Sequence, residues 1–213
     1  MANIRAGRTG GFKERSGAPA GSAKQAESYI ATNIGRAMRA DYPSGMRLIP
    51  YPGLPHPNLS IEVRVERDGR NMMFRYRITG EVETIRLGNP VLPRRRDDLW
   101  RTTCFEVFAR PVGSQHYLEL NFAPSGEWAA YDFQGYRAAR KDATMGREPI
   151  IGAVQYDGGL AVDVYCDPDL DGALELNITA VIEDAHGAIS YWALAHAEEK
   201  PDFHDPLCFT LTV

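Results

Sequence analysis

The sequence predicts an all-β protein, an antiparallel two-sheet β-sandwich of about ten strands behind a disordered or short helical N-terminal extension. Three observations predict it. Apolar residues recur with a period of two from Leu59 onward, turn signals interrupt that pattern frequently, and no long helical period follows Met46. The chain of 213 residues is long enough for one well-buried core and too short to promise two full domains.

The extension comes first. Residues 1–45 carry seven Lys/Arg against three Asp/Glu, which leaves 17 against 25 in the remainder of a chain whose net charge is -4. The opening "MANIRAGRTGGFKERSGAPAGSAKQ" is rich in Gly, Ala, Ser and Arg and has little to bury, the composition of a disordered tail. It lacks the continuous apolar stretch of a secretory signal. From Ser22, however, Ala26, Tyr29, Ile30, Asn33, Ile34, Ala37 and Met38 fall on helical spacing, with Pro43 closing the segment. One short helix is expected there, and the folded unit is expected over residues 46–213.

In "LSIEVRVER", Leu59, Ile61, Val63 and Val65 alternate with Ser60, Glu62, Arg64 and Glu66, as on a half-buried strand. Asp68-Gly69 reads as the two-residue loop of a hairpin, and "NMMFRYRITG" returns with Met72, Phe74, Tyr76 and Ile78 inward. The same reading makes strands of "ETIRL", "TTCFEVFAR", "HYLELNFAP", "EWAAYDF", "IIGAVQYD", "LAVDVYCDP", "ALELNITAVIE", "ISYWALAHA" and "LCFTLTV". Pro124-Ser125-Gly126, Asp157-Gly158-Gly159 and His186-Gly187 supply turns between them.

Composition narrows the function. The net negative charge argues against a nucleic-acid binder, and no apolar run approaches the ~20 residues that a membrane-spanning helix needs. Cys104, Cys166 and Cys208 are few and widely spaced, which fits neither a disulfide framework nor a metal knuckle and points to a reducing, cytoplasmic setting.

The outward faces carry the chemistry. "HYLELNF" sets Tyr117, Glu119 and Asn121 opposite His116, Leu118, Leu120 and Phe122, while "EWAAYDF" sets Trp128, Ala130 and Asp132 opposite Glu127, Ala129, Tyr131 and Phe133. "TTCFEVFAR" places Glu106 between Cys104 and Phe108. If these strands are neighbours, one sheet presents carboxylates, an amide and large aromatics together. Such a face suits a polyhydroxylated ligand, because rings stack on its C–H faces while acids and amides bond its hydroxyls. The alternative is a face partly covered by loops, with the same rings packed beneath them. Arg94 to Arg96 read as a solvated loop, since no Gly-rich cradle precedes a helix. The run "AHAEEKPDFHDP" reads mainly as a turn beside that face, with Lys200 and His204 able to reach a ligand. His196, His204, Asp202 and Asp205 could supply zinc ligands, but their spacing matches no zinc signature.

Taken in order, "DDLWRTTCFEVFARP", "YLELNFAPSGEWAAYDFQGYRA" and "YWALAHAEEKPDFHDP" resemble the DOMON-like proteins related to family 9 carbohydrate-binding modules, over roughly Met46 to Val213. That resemblance implies a β-sandwich that binds sugars in some relatives and haem in others, without catalysis. It implies Trp100 and Trp128 as stacking rings, with Arg101, Glu106 and Asn121 as polar partners. The chain departs from the secreted modules in having Thr103 and Cys104 where they carry an acid, and in showing neither a signal peptide nor an attached catalytic domain. The expectation is therefore a non-catalytic module for a carbohydrate or similar molecule, with no cofactor and no catalytic or metal-binding residue. Its rival is a haem-binding electron-transfer domain, whose iron would be held by Met72 or Met73 with His196 or Lys200.

Overall fold

The computed structural model describes residues 45–213. The tail and short helix expected over residues 1–45 lie, apart from Gly45, outside the described residues. Thirteen strands are present among the latter: β1 (Met46–Pro50), β2 (Leu59–Asp68), β3 (Asn71–Gly80), β4 (Arg94–Arg95), β5 (Cys104–Pro111), β6 (Tyr117–Phe122), β7 (Glu127–Phe133), β8 (Lys141–Asp142), β9 (Arg147–Tyr156), β10 (Gly159–Asp167), β11 (Leu174–Glu183), β12 (Ile189–Ala193) and β13 (Leu211–Thr212). Ten of them have five residues or more, and the other three have two.

The protein is all-β, but its strands form one continuous path in place of the two separate antiparallel sheets expected. The order is β4-β7-β6-β5-β11-β12-β1-β2-β3-β10-β9, with β13 beside β11 and β8 beside β7. β1 makes the connection. Met46 to Leu48 pair with Val63 to Ile61 of β2, while Ile49 and Pro50 pair with Ala193 and Trp192 of β12. A short strand can divide its hydrogen bonds this way because each part needs partners on only one side, and Pro50, which has no N–H, sits at its end. The sheet is also mixed, since β4 runs parallel to β7.

The path curls until its two halves face one another across the main core. Tyr76 of β3 meets Phe105 of β5 with ring centroids 4.6 Å apart, and Phe74 stacks toward Phe122 of β6 at 6.4 Å. Alternation explains the membership of this core. Ile61 and Val63 point in from β2, and Met72, Phe74, Tyr76 and Ile78 from β3, as the period of two predicts. The hairpin between these strands is displaced by one residue from the expected Asp68-Gly69 loop. Asp68 pairs with Asn71, so the loop is Gly69-Arg70. Gly69 then takes the first loop position at φ +60, which glycine adopts without penalty.

Two expected strands are largely something else. "ETIRL" forms a 3-10 turn over Val82–Thr84, and only Ile85 makes a bridge, to Asp184. Val82 and Ile85 are both buried, three residues apart, which suits a tight helical turn better than a strand. In "LCFTLTV" a second such turn, Pro206–Cys208, is capped by the Asp205 carboxylate accepting from the Leu207 amide, and only Leu211–Thr212 pair with β11. The arginine run 94–96 is pinned, not free: Arg94 and Arg96 donate to the two oxygens of the Glu127 carboxylate, at 2.6 and 3.0 Å, and Arg95 pairs with Asp142. No helix among the described residues is long and apolar enough to cross a membrane.

Candidate functional site

The strands that supply one wall of the main core also carry a second, outward face, and that face is covered. Loop 134–140 and the segment 194–209 fold over it, closing a second cluster of Leu99, Cys104, Phe108, Tyr117, Ala129, Tyr131, Phe133, Phe203 and Phe209. Between the two covers and the sheet lies a groove of about 620 Å³, within the range of small-molecule sites.

Strand register builds its floor. Thr179 of β11 lies opposite Glu106 of β5, which lies opposite Asn121 of β6; one row further, Phe108 lies opposite Glu119, which lies opposite Tyr131. Glu106 and Glu119 are thus diagonal neighbours on one face. Both are nearly enclosed, 2% and 6% exposed. Thr179 Oγ1 donates to Glu106 at 3.2 Å, and Asn121 Nδ2 donates to Glu119 at 2.8 Å. Burial, then the neighbouring Glu119, pushes the Glu106 carboxyl well above the usual carboxylate range. Burial also raises Glu119, against the hydrogen bond from Asn121 and the charges of Arg140 and Arg137.

One end of the groove is an aromatic box around His204, whose ring lies 4.9 Å from that of Phe108 and 5.1 Å from that of Phe133. The Tyr117 hydroxyl accepts the Arg137 amide at 3.1 Å and meets His204 Nδ1 at 2.7 Å. With the hydroxyl donating to Nδ1, the ring proton is on Nε2, which faces Glu119 Oε2 at 3.6 Å. Burial, then Arg137, lowers the His204 pKa to about 4, so the ring is neutral at ordinary pH.

Asp202 ties the two covers together. Its buried carboxylate accepts from the Tyr136 hydroxyl at 2.5 Å, from Arg137 Nη2 at 2.7 Å and from the His204 amide at 3.1 Å. Burial alone would raise its pKa, but these hydrogen bonds hold it below the ordinary value. Arg137 and Ala139 both have φ +51, so loop 134–140 adopts a left-handed course that non-glycine residues seldom take. At the other rim a 3-10 turn, Leu99–Arg101, buries Leu99 and leaves Trp100 40% exposed beside the groove. The Tyr131 hydroxyl donates to Asp97 at 2.7 Å, and the Arg101 guanidinium lies 4.6 Å over the Trp100 ring.

Of the residues expected to form a site, Trp100, Glu106, Lys200 and His204 line this one groove. Arg101 stands behind Trp100, and Asn121 lies fully buried beneath, holding Glu119. Trp128 lies elsewhere: it is directly opposite Phe122 and, at 6% exposure, belongs to the main core. β7 carries a large aromatic and an acid on each face, so its own pattern does not say which face is inner; the pairing with β6 does. Glu119 could have been ranked with Glu106 from alternation alone. Arg137 and Arg140 carry no periodic signal, because a loop places them.

The histidines do not converge on a metal. His196 Nε2 donates to the Ile49 carbonyl at 2.8 Å, and among the described residues no group of three or more His, Cys, Asp or Glu side chains could hold a metal ion. The haem set does not fit either. His196 is fixed at Ile49, next to the Leu48–Ile61–Ile78 row, whereas Met72 is six residues further along β3, about 20 Å away. Lys200 lines the groove, to which neither Met72 nor Met73 contributes.

No protein-family model matches the chain, and neither does any curated protein. Among solved structures it is similar to a protein from Bacteroides uniformis ATCC 8492 to which carbohydrate binding is provisionally ascribed, with 14% identity, 85% of this chain and 88% of that chain covered, and a TM-score of 0.58. It is more loosely similar to a family 9 carbohydrate-binding module from Caldicellulosiruptor kristjanssonii solved with cellotriose, with 9% identity, 70% and 72% covered, and a TM-score of 0.43. The first likeness establishes a shared fold. Identity this low carries no ligand from one protein to the other.

Proposed function

We propose that the chain is a non-catalytic binding module whose groove takes a carbohydrate or a similar polyhydroxylated small molecule. One observation carries the reading: a single groove unites an exposed indole, two enclosed carboxylates and an aromatic wall. Trp100 stacks on the C–H face of the ligand, braced by Arg101, while Glu106 and Glu119 bond its hydroxyls. Glu106, whose raised pKa keeps a proton available, donates as well as accepts. Asn121 positions Glu119, and Lys200 and His204 close the rim. The resemblance of three sequence segments to the DOMON-like proteins related to family 9 modules supports the same reading, and the Bacteroides uniformis protein shares the fold. The three cysteines are buried free thiols, which suits a reducing compartment such as the cytoplasm.

Calorimetric titration with a panel of mono- and disaccharides tests the proposal. At least one should bind with a dissociation constant near a millimolar, about -4 kcal/mol. Glu106→Leu and Trp100→Ala should each weaken that binding about fivefold or more while the circular dichroism spectrum stays unchanged. Unaltered affinity in both variants would mean that the ligand sits elsewhere.

A further inference from the structure

The charges around the groove say more about the ligand than its hydroxyl groups. Three cations line it, Arg137, Arg140 and Lys200, against two carboxylates, Glu106 and Glu119. Arg137 is committed to Asp202 at 2.7 Å. The other two have no such commitment. Arg140 lies over the Tyr131 ring at 4.7 Å, in the field of Asp97 and Glu119, and among the described residues it is within ion-pair distance of neither. Lys200 likewise has no carboxylate partner among them. The two come from different covers, Arg140 from loop 134–140 and Lys200 from the segment after β12, and both are exposed. On the floor, two diagonal carboxylates in so enclosed a place repel one another unless a proton stays with the pair, so the floor presents about one negative charge. The rim therefore outweighs the floor.

We infer that the groove selects a polyhydroxylated acid, a sugar bearing a carboxylate, with Arg140 and Lys200 receiving the carboxylate at the rim and Glu106 and Glu119 holding the hydroxyls below. This rests on the binding function proposed above and names its ligand class. The carboxylate lies outward because on the floor it would meet like charge. A guanidinium braced on a ring is suited to a planar acid group, and a lysine reaching from the other side adds a second, geometrically tolerant charge.

Matched pairs of neutral and acidic sugars provide the test: glucose with glucuronate and galactose with galacturonate, titrated calorimetrically at 20 and 500 mM NaCl into the full chain. The inference expects, in at least one pair, an acid bound about tenfold more tightly than its neutral partner, with the advantage shrinking at the higher salt. Arg140→Gln and Lys200→Gln, both at exposed positions, should each remove most of that advantage while the circular dichroism spectrum stays that of the wild type. A neutral sugar that binds as well as its acid, or an acid preference that survives both substitutions, overturns the inference while the binding module stands. Failure of every sugar in the pairs to bind overturns the inference, and the wider panel of mono- and disaccharides decides the binding module separately.

Discussion

The two faces of β5, β6 and β7 are built from alternate residues of the same three strands, yet they obey different rules. The inner face, with Phe105, Val107, Leu118, Leu120, Phe122, Trp128 and Ala130, is apolar apart from the unpartnered Trp128 Nε1 and packs against the other half of the sheet. The outer face, with Glu106, Glu119 and Asn121, is equally shielded from bulk water but polar, and its polar groups are only partly satisfied: the Asn121 side-chain oxygen has no hydrogen-bond partner. Burying a carboxylate or an amide without full pairing costs free energy that an apolar side chain of similar size would not. That cost is consistent with the binding role proposed for the outer face.

The largest effect should therefore come from the inner face. Trp128→Ala is expected to cost about 3–5 kcal/mol in denaturant unfolding, the usual range for removing a large aromatic from a core. A loss below about 1 kcal/mol would break the comparison by showing that Trp128 does not support the core.

On the outer face the sign should reverse. The folded Glu106 keeps its proton to a pH well above that at which the unfolded carboxyl, near 4.5, releases it. The folded state then binds more protons than the unfolded one, so this group's contribution to stability is full below about 4.5 and is lost as pH rises from there through the folded value. Glu106→Gln should make the protein more stable than wild type at neutral pH, with the difference shrinking toward pH 4, in urea midpoints measured across that interval. Equal midpoints at every pH would mean that the carboxyl is solvated.

His204 should show the opposite slope. Its folded pKa of about 4 lies below the ordinary 6.5, so the unfolded state binds the extra proton and stability falls as pH drops between those values. Replacing it with glutamine should flatten that decline. An unchanged acid limb would assign the loss to other groups.

The smallest change in stability belongs to Trp100→Ala, within about 0.5 kcal/mol of wild type, as for a partly exposed position outside both hydrophobic clusters. Set beside Trp128→Ala, this separates two tryptophans to which the sequence assigns one role.

Much of this face was readable before the fold. Alternation alone puts Glu106, Glu119 and Asn121 on a common side, because the side-chain period of a strand does not depend on its partners. The hairpin of β2 and β3, its inward residues and the number of longer strands were legible for the same reason. Trp128 was not, because Trp128 and Tyr131 point to opposite sides of β7 and either side could have been the inner one; only the pairing with Phe122 decides. The crossing of β1 from one half of the sheet to the other, and the parallel pairing of β4, depend on partners far away in the chain. Arg137 and Arg140 reach the groove because Asp202, more than sixty residues away, holds their loop in place. No local pattern encodes such a contact.

The central claim is that ligand binds on the outer face. It is tested most directly by following the backbone amide resonances of isotopically labelled protein as the tightest-binding sugar of the panel is added. The account predicts shifts concentrated at Trp100, Glu106, Glu119, Arg140, Lys200 and His204, saturating together with one dissociation constant, while Phe74, Tyr76 and Val162 in the opposite half stay still. Shifts confined to the cleft formed by Arg86, Arg94, Arg96 and Glu127, or spread evenly over the protein with no saturation, would contradict it.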